Sequence, residues 1–212
     1  MKKLVTIIAL FFTISLPVQA QFHMSLEPAF GMNFNLHSGS DIESGSGVGI
    51  VFAGQAHMSF TKSIGIIAGI VFYDNRSGDY KETGTDQTYG KYSTDINASL
   101  AYFQLESLFK YELPSGLYFV AGPVLGFNVE SEAQYKLHLQ QLNQTVDGKS
   151  TIKETQVRFE LKTGAGYTIP ITKTIDIIPQ VTFGYGLTNV VKDVKWKILS
   201  FQALVGVSFN IL

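Results

Sequence analysis

The stretch "VRFELKTGAGYTI", residues 157–169, sorts its side chains into two rows of opposite character. Val157, Phe159, Leu161, Thr163, Ala165, Tyr167 and Ile169 alternate with Arg158, Glu160, Lys162, Gly164, Gly166 and Thr168. A period of two predicts a β-strand, because successive side chains then point to opposite faces. One face of this strand is oil; the other is charge and glycine. Such a strand either turns its charges to water around an apolar core, or turns its oils to lipid around a charged interior.

The same pattern recurs in segments 22–35, 48–60, 64–73, 98–111, 116–130, 175–187 and 197–211, which with the first makes eight expected strands. Their connections alternate. Segments 36–47, 74–95 and 131–155 are long and polar; 61–63, 112–115 and 170–174 are short; 188–196 is intermediate. An even number of strands, with short turns at one end and long loops at the other, is the layout of an outer-membrane barrel. Strands of about 10 residues or more suit a tilted membrane crossing better than a soluble sandwich. No helical period is present after residue 21.

The apolar faces of these strands carry no Asp, Glu, Arg or His. A cation on a lipid face costs about 2–4 kcal/mol at the bilayer midplane, so such a face must stay clear of charge. The opposite faces carry Glu27, His57, Glu106, Lys110, Arg158, Glu160, Lys162 and Asp176, mixed with glycine. A lipocalin-like barrel with its oils inside explains the alternation equally well, but not the glycine on the polar face. Solvent-facing strand surfaces favour Thr, Lys, Glu and Arg, whereas a crowded eight-stranded lumen needs small residues beside long ones. Aromatic residues fall near strand ends (Phe34, Phe60, Phe72, Tyr111, Trp196, Phe209), as an interfacial girdle requires. Pro28, Pro123 and Pro179 lie inside expected strands, where each removes a ladder hydrogen bond, so bulges or distorted ladder positions are expected there.

The 212 residues fit one domain, residues 21–212, after an N-terminal segment "MKKLVTIIALFFTISLPVQA" that reads as a cleaved signal peptide, residues 1–20. Its basic start, short apolar run and small-residue end imply export. Removing Lys2 and Lys3 from 16 basic residues leaves 14 against 17 acidic ones, a formal charge of −3, which is no nucleic-acid footprint. The chain has no Cys, so its stability rests on packing and hydrogen bonding.

In "FQLESLFKYELPSGLYFVAGPVLGF", residues 103–127, Gln104, Leu105, Leu108, Lys110 and Tyr111 precede a short turn, and Ala121, Gly122, Pro123 and Gly126 follow it. This stretch resembles the PorT-type outer-membrane β-barrel family of Bacteroidota, OmpA/OmpX-like eight-stranded barrels; Glu106 stands where that family has proline. The terminal "VGVSFNIL" and the strand order extend the likeness over the mature chain. The resemblance implies an outer-membrane location and a barrel fold, and no single activity.

The fold expected is thus all-β: an eight-stranded antiparallel up-and-down transmembrane barrel, monomeric, in a Gram-negative outer membrane. Eight strands leave an interior that side chains fill, and buried charges are costly unless paired. Arg158, Lys162 and Lys110 are therefore expected to pair with Glu27, Glu106, Glu160 and Asp176 in a network that plugs the lumen. Loops 74–95 and 131–155 are the expected surfaces for an extracellular or envelope protein partner. Two other readings remain. One is a narrow pore. The other is an outer-leaflet lipid-modifying enzyme, such as a lipid A acyltransferase, using His37 beside Ser38, Ser40 and Asp41. His23 and His57 are expected in the lumen. The histidines lack metal-binding spacing, no cofactor is implied, and "KTGAGY" lacks the strand–loop–helix context of a phosphate loop.

Overall fold

The computed structural model describes residues 23–86, 90–139 and 142–211; the expected signal peptide lies outside them. The described residues form eleven strands: β1 (His23–Ser38), β2 (Gly45–Ser59), β3 (Ile64–Asn75), β4 (Gly78–Asp86), β5 (Gly90–Glu112), β6 (Leu117–Leu139), β7 (Gln144–Thr151), β8 (Arg158–Tyr167), β9 (Ile169–Pro170), β10 (Ile175–Gly186) and β11 (Lys197–Asn210). Strands β1, β2, β3, β5, β6, β8, β10 and β11 pair antiparallel in that order, and β11 pairs back to β1. The sheet is a closed eight-stranded barrel, and β9 continues β8 against β10.

The two faces separate as the alternation requires. Phe30 is 54 % exposed and Val181 61 %, while Glu160 and Arg76 are fully buried. Within the barrel wall each strand turns a row of oils outward, and Glu27, Glu106, Arg158, Glu160, Lys162 and Asp176 turn inward. The interior is less polar than the sequence suggests. Ile67, Leu108, Tyr118, Val120, Val124 and Ile178 form one inward apolar cluster, and Ala29, Val51, Ala53, Val71 and Leu204 another. These side chains fill the lumen around the charged groups.

The short connections at one end repeat a single device. In "TKSI" and "TKTI", Thr61 Oγ1 accepts from the Ser63 and Ile64 amides, and Thr172 Oγ1 from the Thr174 and Ile175 amides. A hydroxyl that takes over backbone donors in this way stabilises a tight turn. The third short turn needs Gly116, whose φ of +88° a side chain would disfavour.

The prolines interrupt ladders without bulging them. The β1–β11 pairing skips Glu27 and Pro28, the β5–β6 pairing skips Gly122 and Pro123, and β8 breaks at Thr168 opposite the Ile178–Pro179 stretch, each with the register unchanged on either side. The true register shifts fall elsewhere, at Phe52/Ala53 against β3, at Val71/Asp74 of β3, and at Ala101/Tyr102 of β5.

Segments 74–95 and 131–155, expected as loops, are largely sheet. β4 pairs with the first half of β5, and β7 with the second half of β6, so a four-stranded sheet projects beyond the barrel at the end opposite the short turns. β5 and β6 have 23 residues each, about a dozen more than a tilted crossing needs. The amphipathicity inverts in this extension. Ala98 and Leu100 face inward and are buried, with Ile96 and Ala133 above them, while Asp95, Asn97, Gln134 and Lys136 face outward. That is the pattern of a sheet in water.

Lumen glycines make room for carboxylates. A Cβ at Gly184 would collide with the Glu160 carboxylate, and one at Gly206 with that of Glu27. Gly184→Ala is expected to lower stability by about 1–3 kcal/mol, the usual cost of overpacking, measured by urea unfolding of the vesicle-inserted barrel. An unchanged midpoint would mean the lumen is looser than this packing.

Candidate functional site

A chain of side chains crosses the upper half of the lumen. Asp74, at the end of β3, accepts from Asn33 Nδ2 at 2.5 Å, Arg76 Nε at 2.6 Å, Gln104 Nε2 at 2.6 Å and Gln202 Nε2 at 3.3 Å. Its donors come from β1, β5, β11 and the link after β3. Arg76 Nη2 also lies 3.6 Å from Glu160 Oε2. Arg158 grips the same oxygen through Nε at 2.9 Å and Nη2 at 2.6 Å, and donates to the Ile198 carbonyl at 2.8 Å. Gln202 joins this group to a second pair, because its Oε1 accepts from Lys162 Nζ at 2.9 Å and Lys162 also bonds Glu106. The path Glu106–Lys162–Gln202–Asp74–Arg76–Glu160–Arg158 thus runs from one wall to another. Charge-assisted bonds of this kind offset the desolvation of ions held away from water.

The expected pairings are realised in part. Arg158 meets Glu160, two residues along the same strand, and Lys162 of β8 meets Glu106 of β5 past the intervening β6. Lys110 does not reach the lumen carboxylates. It pairs with Glu112 at 2.8 Å and sits 4.6 Å over the Tyr118 ring. Glu27 lies 2.7 Å from His57 Nε2, close but off-line for a hydrogen bond, and Asp176 accepts from Asn210 at 3.1 Å. Distance along the barrel axis decides this: the short-turn end holds Glu27, His57, Lys110 and Asp176, and the long-hairpin end holds the rest. The sequence reading missed Asp74 and Arg76, which it assigned to a loop. Strict alternation after Val71 turns Tyr73 inward and Asp74 toward lipid. The bulge at Phe72–Tyr73 restores Asp74 to the lumen. The pattern "DNR", with acid and base two residues apart, was the available signal.

Above the network the mouth is lidded. The segment after β10 folds over it, with Thr155 bridging Val191, the Gln156 amide bonding the Val190 carbonyl and the Lys195 amide bonding Asp41. Asp41, outside the membrane, is held below the usual carboxylate range by that amide and then by the Ser40 hydroxyl. Trp196 sits in an apolar cluster with Leu100, Tyr102, Val190 and Ile198. His37 lies beneath it. Its Nδ1 accepts from Trp196 Nε1 at 3.0 Å and contacts Tyr80 Oη, and its Nε2 is 3.1 Å from the Ser77 carbonyl. An indole can only donate, so Nδ1 is the acceptor and Nε2 carries the proton. Ser40 bonds Asp41 at 2.8 Å, separately from His37. Of the other histidines, His57 is buried in the lumen, while His23 is exposed at the short-turn end beside Asn210. Among the described residues no group of His, Asp and Glu is arranged to hold a metal.

A closed antiparallel ring, oily outside and ion-paired inside, is an outer-membrane-type β-barrel. The fold has a solved counterpart. Outer membrane protein AlkL in lipid bilayers is similar at 9 % identity with a TM-score of 0.52, over 91 % of each chain. Ail, the attachment invasion locus protein of Yersinia pestis, aligns at 9 % identity and TM-score 0.42 over 87 % of this chain and 98 % of its own. Neisserial surface protein A aligns at 14 % identity and TM-score 0.41 over 89 % and 97 %. No family model and no curated protein matches this sequence.

Proposed function

We propose that this protein is a small, monomeric outer-membrane barrel, closed to solutes, that works by presenting its β4–β5 and β6–β7 hairpins to an extracellular or envelope protein partner. Export through a cleaved signal peptide over residues 1–20 and kinship with the PorT-type barrels belong to the same reading. The side-chain path from Glu106 to Arg158 carries it. A solute would have to part at least two buried ion pairs and an amide bridge to pass. The outer faces of the projecting sheet are polar and accessible, as a protein-binding surface in water requires. The reading is non-enzymatic. The lone pair of His37 is taken up by Trp196, so His37 has no free base nitrogen to offer Ser38 or Ser40.

The test is electrical. The purified barrel in planar bilayers is expected to give no stable conductance, while migrating in a heat-modifiable way on gels. Steady open channels would sink the closed-lumen reading. Deleting residues 79–97 or 133–150 is expected to leave the barrel folded and abolish partner capture.

A further inference from the structure

Between the connection from β1 to β2, Trp196 at the end of the lid and the inner face of the projecting sheet lies a cavity of about 510 Å³. Ile42, Ile96, Ala133 and Ile152 wall it, together with Tyr80 and Trp196. The two rings stand edge-to-face, 6.0 Å apart. Both direct their only polar side-chain atom at His37, so they offer the cavity carbon alone. The charged residues in its lining are Asp41, Glu43 and Glu82, with no Lys or Arg among them. Asp41 is occupied by Ser40 and the Lys195 amide, while Glu43 and Glu82 form no salt bridge among the described residues. A concave apolar site with a few polar groups at its edge is the usual form of a small-molecule site. Aromatic walls with uncompensated carboxylates favour a cation over an anion or a neutral molecule.

We propose that this cavity binds a small organic cation with an apolar body, the body held against Tyr80 and Trp196 and the charge beside Glu43 and Glu82. The site goes beyond the closed-lumen reading, since it lies above the network and opens to the outside.

Trp196 is the single tryptophan of the chain, so intrinsic fluorescence reports this cavity directly. The barrel in uncharged maltoside micelles is titrated with benzyltrimethylammonium, and in parallel with benzyl alcohol and benzenesulfonate. The cation is expected to give a saturable change, and the other two none at equal concentration. The Glu43→Gln, Glu82→Gln double variant is expected to weaken binding about tenfold. Ala133→Phe, which fills the cavity, is expected to abolish binding with unchanged heat-modifiable migration. Equal saturation by benzyl alcohol, full affinity in the double variant, or no saturable signal in the folded protein would each overturn the proposal. Conductance is scored separately, so an open channel would refute the closed lumen without touching this result.

Discussion

Replacing Asp74 by Ala is expected to lower the unfolding free energy by about 3–5 kcal/mol, the cost of stranding a buried charge. Asp74 takes four side-chain hydrogen bonds, and Arg76 beside it has no exposure at all. Without the carboxylate, the Arg76 guanidinium keeps only the 3.6 Å contact with Glu160, which already serves Arg158. The double variant Asp74→Leu, Arg76→Met removes both charges and keeps similar volume. It is expected to recover most of the loss, because well-packed apolar groups often replace a buried pair at little cost. Urea unfolding of the barrel in lipid vesicles measures both. A small loss in the single variant would show that Asp74 does not organise the lumen. An equal loss in the double would place the cost in its bonds from Asn33, Gln104 and Gln202 rather than in the stranded Arg76 charge.

Val181→Lys is expected to cost about 2–4 kcal/mol in the same assay, and Ile175→Lys only about 0–1 kcal/mol. Both residues lie on the outer face of β10, Val181 near mid-strand and Ile175 at its short-turn end. The difference arises because a long cation near the end snorkels to the headgroups, while one at the middle does not. Equal costs at both positions would mean that this face does not cross a bilayer.

Much of this architecture is legible in the sequence. The eight segments of alternating character all became strands of the ring, and the face carrying Arg158, Glu160 and Lys162 turned inward as its glycines required. Lipid and water differ so much as solvents that a two-residue period states which side each residue takes. The extent of β5 and β6 was not legible. Their upper halves carry an inner apolar row, including Ala98 and Leu100, and a polar outer row, so the membrane pattern vanishes while strand pairing continues.

The candidate sites were less legible still. His37 was visible as a residue, but the lid that brings Trp196 onto it from 159 positions away was not. The partners of Lys110, Glu27 and Asp176 depended on height along the axis, which register and strand tilt determine.

Alternation alone therefore determined the sheet, the inward direction of Arg158, Glu160 and Lys162, and the need for those charges to be paired. That information is local, because each side chain reports its own solvent. Which carboxylate meets which cation was decided only by closure of the barrel. The bulge before Asp74 and the pairing of β11 with β1 bring Asp74, Gln202, Arg76 and Glu160 to one level. Contacts across a lumen depend on the sum of all the strand registers, and no single strand contains that sum.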